Sequence, residues 1–196
     1  MYVLEEFINF SVLCHFIYGR EISIAITLNW YVMASGKEPT LQDLTREFHI
    51  TPDLVWTIDP EHNSRGGITE FNPCDRFPNR NGLMLHEWGE GPFCRFRIPG
   101  RFRDLQGVYL LVVGGKIVFA GWSQNLVQRM NQNYGTISPR KCFDGSEPEN
   151  CLVNHRILIA AQAKLKVIIY LIPNASPEVS DEIVDKLCPQ WNLDLE

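Results

Sequence analysis

The chain has 196 residues, 45% of them hydrophobic and 21% charged, enough to bury one sizeable core or two small ones. Its formal net charge of −5 argues against a protein that coats nucleic acid or anionic membrane non-specifically. The average conceals an asymmetry. Residues 1–90 carry six Lys/Arg against thirteen Asp/Glu, residues 91–141 eight against one, and residues 142–196 four against nine. The central island comprises Arg95, Arg97, Arg101, Arg103, Lys116, Arg129, Arg140 and Lys141, and points to a polyanionic partner. The six cysteines form no C-x-x-C pair, so neither a zinc site nor a disulfide framework is signalled, and reduced thiols in a cytoplasmic protein are expected.

Helical spacing dominates residues 3–34. The apolar stretch Phe7 to Tyr18 is too short to span a bilayer and follows acids rather than Lys/Arg, so it reads as a core helix and not as a membrane or export signal. In "TLQDLTREFHITPDLVWTI", Leu41, Leu44, Phe48, Ile50, Val55 and Ile58 fit two short helices around a tight turn, with Thr40 and Asp43 as an N-terminal cap. The pair resembles a helix-turn-helix. It is either a DNA reader or a helical core hairpin, and Asp53 and Trp56 replace the basic groups usual on a recognition helix. Residues 59–92 are crowded with Pro, Gly, Asn and Asp and read as a linker or wrapping segment.

Beyond them "GVYLLVV" and "KIVFAGW" are β-rich runs joined by Gly114-Gly115, a two-residue hairpin signal. "SQNLVQRMNQ" reads as a helix capped by Ser123, "RILIAAQAK" as a second helix, "VIIYLI" as a buried strand, and "SPEVSDEIVDKL" as a last helix ending before Pro189.

"GVY", then "FAG", then "WSQNLVQR", and finally "PQWN" resemble in order the motifs of the GIY-YIG nucleases, over roughly residues 105–193. The resemblance implies an α+β protein: a helical N-terminal region over residues 1–92, then a GIY-YIG domain over 93–196 with a small antiparallel sheet flanked by helices. It also implies a DNA endonuclease, of restriction or defence type, in which a tyrosine is the base, an arginine holds the scissile phosphate, a glutamate holds Mg²⁺ or Mn²⁺, and an asparagine supports the site. The matching positions are Tyr109, Arg129 and Asn192, with Phe119 in place of the motif's second tyrosine. A tyrosine base needs its phenol lowered by nearby cations, which the basic island would supply, Lys116 in the hairpin turn among them.

The family's acid falls at Ser180, on a helix face shared with Ile183, Val184 and Leu187, while Glu178 and Glu182 should point to solvent. Either the register slips and Glu182 serves, or Glu147 or Glu149 from the preceding loop substitutes, or the protein holds DNA without cutting it. After the arginine helix, Arg140 and Lys141 suit phosphate contact, and Asn150, Asn154 and His155 are candidates to read base edges. Double-stranded DNA is the expected partner and no membrane is expected. A homodimer is left open.

Overall fold

The computed structural model describes residues 38–76 and 82–195. The helices expected over residues 3–34 lie outside them. The chain divides into two compact units, Met1–Glu38 and Pro39–Glu196, and the second carries the sheet and the cleft.

That second unit is mixed α+β. Helix α1 (Leu41–Phe48) is followed by strands β1 (Asp53–Ile58), β2 (Glu70–Phe71) and β3 (Phe93–Cys94), then the hairpin β4 (Gly107–Val113) and β5 (Lys116–Ser123). A short α2 (Leu126–Gln128) continues as a π-helix over Arg129–Tyr134. Helix α3 (Pro148–Gln162), strand β6 (Val167–Pro173) and helices α4 (Pro177–Leu187) and α5 (Gln190–Leu193) complete it. The main sheet is antiparallel, in the order β1-β6-β4-β5.

β4 reads as an unbroken apolar run because both its faces are covered. Tyr109 and Leu111 join a core with Val153, Ile157 and Leu158 of α3. Val108, Leu110 and Val112 pack on the other face with Ile183 of α4 and Leu44 of α1. Burying such apolar side chains contributes about 1.5–3 kcal/mol each, which fixes the hairpin between two helical layers. The turn at Gly114 and Gly115 has both residues at positive φ (57° and 82°), as a two-residue hairpin turn of this kind requires.

The helix pair expected over residues 40–58 is not formed. The capping box at Thr40 and Asp43 is present, and α1 ends where His49 takes the left-handed conformation (φ 57°). The next segment is β1, paired antiparallel with β6 from Asp53↔Leu171 to Ile58↔Val167. Val55, Trp56, Thr57 and Ile58 are strand formers, and β6 supplies the partner that draws the segment into the sheet in place of the helical spacing. The sheet therefore begins well before residue 93, and the expected division at 92/93 falls inside this unit. Among the described residues no helix is long and apolar enough to cross a membrane.

Candidate active site

The hairpin, the π-helix, the start of α3, and α4 with α5 enclose a cleft of about 410 Å³. Tyr109, Phe119, Gly121, Trp122, Arg129, Glu149, Ser180, Asp181, Asp185 and Asn192 are among the residues that line it.

Tyr109 and Gly121 face each other across the β4–β5 ladder. A Cβ on Gly121 would lie 2.5 Å from the Tyr109 hydroxyl oxygen and 2.9 Å from the Phe119 ring, so only glycine leaves the phenol its place. Gly107 is equally constrained, with φ at 136° and a Cβ that would meet the Ile172 carbonyl oxygen at 2.2 Å. Phe119 stacks on Tyr109 with ring centroids 6.1 Å apart. Asn192 accepts from the Ala120 N–H and donates to the Ala120 carbonyl, both at 2.9 Å, so its amide stands in for a neighbouring strand on the edge of β5.

Behind Tyr109 lies Tyr134, a site residue that no motif in the sequence marks. The two hydroxyls are 2.6 Å apart. Tyr134 donates to Glu149 Oε1, which leaves its oxygen to accept from Tyr109. Arg129 Nη1 stands 3.6 Å from the same Glu149 oxygen, and its guanidinium lies 5.6 Å from the Tyr134 ring centroid. Five positions along an α-helix are roughly 140° apart around the axis. The π-turn, marked by the Gly135 N–H bonding to the Met130 carbonyl at 2.6 Å, is what lets Arg129 and Tyr134 share a side.

The Tyr109 phenol is raised, not lowered. Burial is the larger cause and the Glu149 charge adds to it, outweighing the opposing pull of Arg129. Tyr134 is raised for the same first reason. Burial works against the Arg129 charge too, but Tyr109, Tyr134 and Glu149 more than offset it and the guanidinium stays charged.

Several expected site residues are elsewhere. Lys116 sits at the hairpin turn, about 16 Å along β5 from Gly121 at the usual strand rise, and does not line the cleft. Lys141 is spent on structure: its Nζ donates to the carbonyls of Gln132 (2.6 Å), Asn133 (3.0 Å) and Thr136 (3.4 Å) at the end of the π-helix. Asn154 is fully buried and ties Cys94 and the Tyr134 carbonyl together. Asn150 is buried, and its amide donates to Glu147. His155 Nδ1 donates to the Pro92 carbonyl at 3.0 Å. Asn150 and Asn154, both buried, are turned into the protein and not toward a base edge. Ser123 does not cap the arginine helix; Asn125 does, accepting from the Gln128 N–H at 2.9 Å. Arg95, Arg97, Arg101, Arg103 and Arg140 are exposed.

On α4, Ser180 is 6% exposed and Ile183 is buried, while Glu178 and Glu182 face solvent as the helix geometry predicts. Glu182 does not line the cleft. Asp181 and Asp185 do, and the motifs mark neither of them. They are one helical turn apart, about 100° and 140° around the helix from Ser180. The lining thus holds one cation, Arg129, against three carboxylates, Glu149, Asp181 and Asp185. Among the described residues no group of three or more His, Cys, Asp or Glu side chains is assembled to hold a metal ion. Comparison of the chain with protein-family models, with curated proteins and with solved structures finds no match.

Proposed function

We propose that the protein is a DNA endonuclease of the GIY-YIG type, acting on double-stranded DNA in a restriction or defence role. One observation carries the reading. The residues that match the motifs, distant in sequence, meet at one cleft: Tyr109, Arg129 and Asn192, joined by Tyr134 and Glu149. The hairpin, the N-L-x-x-R segment and the terminal P-x-W-N support the same family reading.

In this reading Tyr109, ionised, takes a proton from the attacking water. The water oxygen bonds to phosphorus as the bond to the departing oxygen breaks, and solvent protonates that oxygen. Arg129 holds the non-bridging oxygens, where negative charge accumulates in the transition state. Asn192 fixes Ala120, hence Gly121 and the position of Tyr109. The cleft lining carries a formal −2, which repels a phosphodiester unless a cation enters with it. Its carboxylate oxygens are the hard donors that Mg²⁺ and Mn²⁺ take, and Mg²⁺ needs only one or two of them beside substrate and water. Such an ion would shield the developing phosphorane charge.

The test is to incubate the protein with supercoiled plasmid and Mg²⁺ or Mn²⁺. Nicked or linear product is expected from the wild type and much less from Tyr109→Phe and Arg129→Ala. Equal cutting by all three would overturn the reading. The buried, raised Tyr109 phenol favours one alternative, a protein of this type that binds DNA without cutting it. In that case a gel shift with no product is expected under every metal condition.

A further inference from the structure

A second cavity, of about 520 Å³, lies where β2, the turn after it, Arg95 just past β3 and the segment leaving the π-helix come together. It shares no lining residue with the cleft, and its size falls in the range that seats small ligands, roughly 300–1,000 Å³. The sequence explains the opening. Pro73 stands two residues past the end of β2, Pro92 immediately precedes β3, and Pro139 opens the turn after Ser138. Each lacks the N–H that a continuing ladder would need, so the β2–β3 ribbon stops at two residue pairs and leaves a gap beside it.

The lining is of two kinds. Phe71, Pro73, Pro92, Ile137 and Pro139 give it flat apolar surfaces, and the Arg95 guanidinium lies over the Phe71 ring at 4.7 Å from the centroid. Among the described residues Arg95 makes no ion pair or side-chain hydrogen bond, so the ring alone steadies it and its outer plane is exposed. A guanidinium plane is a platform on which nucleic-acid bases stack. The other lining groups are acceptors: Glu70, Asn72 and Asp75. Glu70 is set in place by Gln162 at the end of α3, whose Nε2 donates to Oε1 at 2.7 Å, and its carboxylate has further lone pairs for a ligand. Two carboxylates against one guanidinium make the lining net negative, which favours a neutral, N–H-bearing ligand over an anion.

We propose that this pocket holds an unpaired nucleobase, stacked on the Arg95 guanidinium among the prolines, with its donor edge turned to Glu70 and Asp75. The chemistry ranks the bases. Guanine presents a ring N–H and an amino group side by side, a pair of donors that one carboxylate accepts. Adenine and cytosine present an amino group alone. Thymine presents one N–H between two carbonyl oxygens, which the carboxylates repel. The sugar and phosphate stay outside, where Arg97 and Arg140 are exposed, two residues past Arg95 and one past Pro139. The base comes either from a DNA strand, turned out of its stack, or from a free nucleoside. Only the first source rests on the endonuclease reading, because it requires the protein to hold DNA.

Two measurements on the full chain test the pocket without any cleavage. In the first, deoxyguanosine, deoxyadenosine, deoxycytidine and thymidine are titrated in turn and followed by amide chemical shifts. Deoxyguanosine should bind most tightly and thymidine about tenfold more weakly. Glu70→Gln with Asp75→Asn should remove that preference, and Arg95→Ala should weaken every nucleoside about tenfold, the scale of losing one stacking platform. All three side chains are exposed, so the substitutions leave the core in place. In the second, a duplex with one bulged guanine is compared with the same duplex bulged at an abasic site. Tighter binding of the bulged guanine that the double variant abolishes assigns the pocket to a base of the DNA. Nucleoside binding with no gain from the bulged guanine assigns it to a free nucleoside. Equal affinity for all four nucleosides, a gain that survives the double variant, or neither nucleoside binding nor gain would overturn the pocket. A protein that holds the bulged guanine here yet never cuts plasmid loses the endonuclease reading alone, and one that cuts plasmid but takes no base loses the pocket alone.

Discussion

The cleft has two acidic walls in opposite states. On one, Glu149 accepts from Tyr134 and stands against Arg129, which itself lies over the Tyr134 ring; the wall is closed on its own partners before any ligand arrives. On the other, Asp181 and Asp185 have no cation beside them among the described residues, and Ser180 has no partner there. Groups already held by their neighbours are preorganised for transition-state charge and need no rearrangement at the moment of reaction. Groups left unpaired gain most when a ligand comes. The difference separates a side of the cleft already held by its own neighbours from one open to solvent.

The largest expected effect breaks the closed wall. Arg129→Ala should reduce single-turnover cutting by about two to three orders of magnitude, the scale for losing one preorganised donor to an oxyanion, while duplex affinity falls modestly. Tyr109→Phe should lose as much, since it removes only the hydroxyl and keeps the stack on Phe119. If either variant retains the wild-type rate, the closed wall does not carry the chemistry.

The pH dependence sharpens the same point. Because burial raises the Tyr109 phenol above its usual value of about 10, the ionised fraction at neutral pH is small. Cutting should rise with pH through 7 to 9 without reaching a plateau, whereas a phenol lowered by cations would plateau near neutrality. The same shift makes stability depend on pH. The neutral phenol stabilises the fold fully below its unfolded value, and that contribution is lost as pH climbs toward the folded one. Thermal stability should therefore decline above about pH 10 in the wild type, and less steeply in Tyr109→Phe. A plateau in rate at pH 7 would overturn this assignment of the base.

Gly121→Ala tests how tightly the ladder seats the phenol. The added carbon would sit 2.5 Å from the Tyr109 hydroxyl oxygen, inside van der Waals distance, and overpacking of this kind costs about 1–3 kcal/mol. Thermal unfolding should show that loss. An unchanged melting temperature would mean the strands separate easily at this point.

Much of this architecture was legible because local chemistry and tertiary need agreed. Gly114-Gly115 between apolar runs specified the hairpin, and the spacing of Ser180 from Ile183 correctly sent Glu178 and Glu182 to solvent. The failures have physical causes. Residues 51–58 carry apolar spacing that serves a helix or an edge strand equally, and the partner that decides the matter, β6, lies over a hundred positions away. Tyr134 was invisible because an α-helix points a residue five places on away from Arg129, and only the π-turn brings it back. Asn154 looked available for base contact on a polar surface, yet it is fully buried between β3 and the π-helix, where its amide satisfies main-chain groups. Asp181 escapes any reading made from whole helix faces, because it lies about 100° around the helix from Ser180.

The smallest expected effects lie outside both walls, on the arginines of residues 95–103. They alternate with buried Phe96 and Ile98, so Arg95 and Arg97 project from the surface as the strand-like period of two requires. Arg101 is steadied over Trp56 and Phe102 at 5.4 and 4.9 Å, and Arg95 over Phe71 at 4.7 Å, interactions worth about 0.5–1 kcal/mol at exposed sites. A guanidinium held over a ring keeps its charge available to a phosphate while losing less freedom when it binds one. If these side chains meet the DNA backbone, changing Arg95, Arg97, Arg101 and Arg103 together to Gln should weaken duplex binding. It should also lower the slope of log affinity against log salt by about 0.9 for each phosphate no longer neutralised. The single change Arg101→Gln should move the slope by about one such step and leave the rate of bound-state cutting alone. A slope unchanged in the fourfold variant would place the electrostatic footprint elsewhere. A fall in the bound-state rate would instead show that the outer arginines act on the closed wall, so that positioning and chemistry are coupled and not divided between surface and cleft.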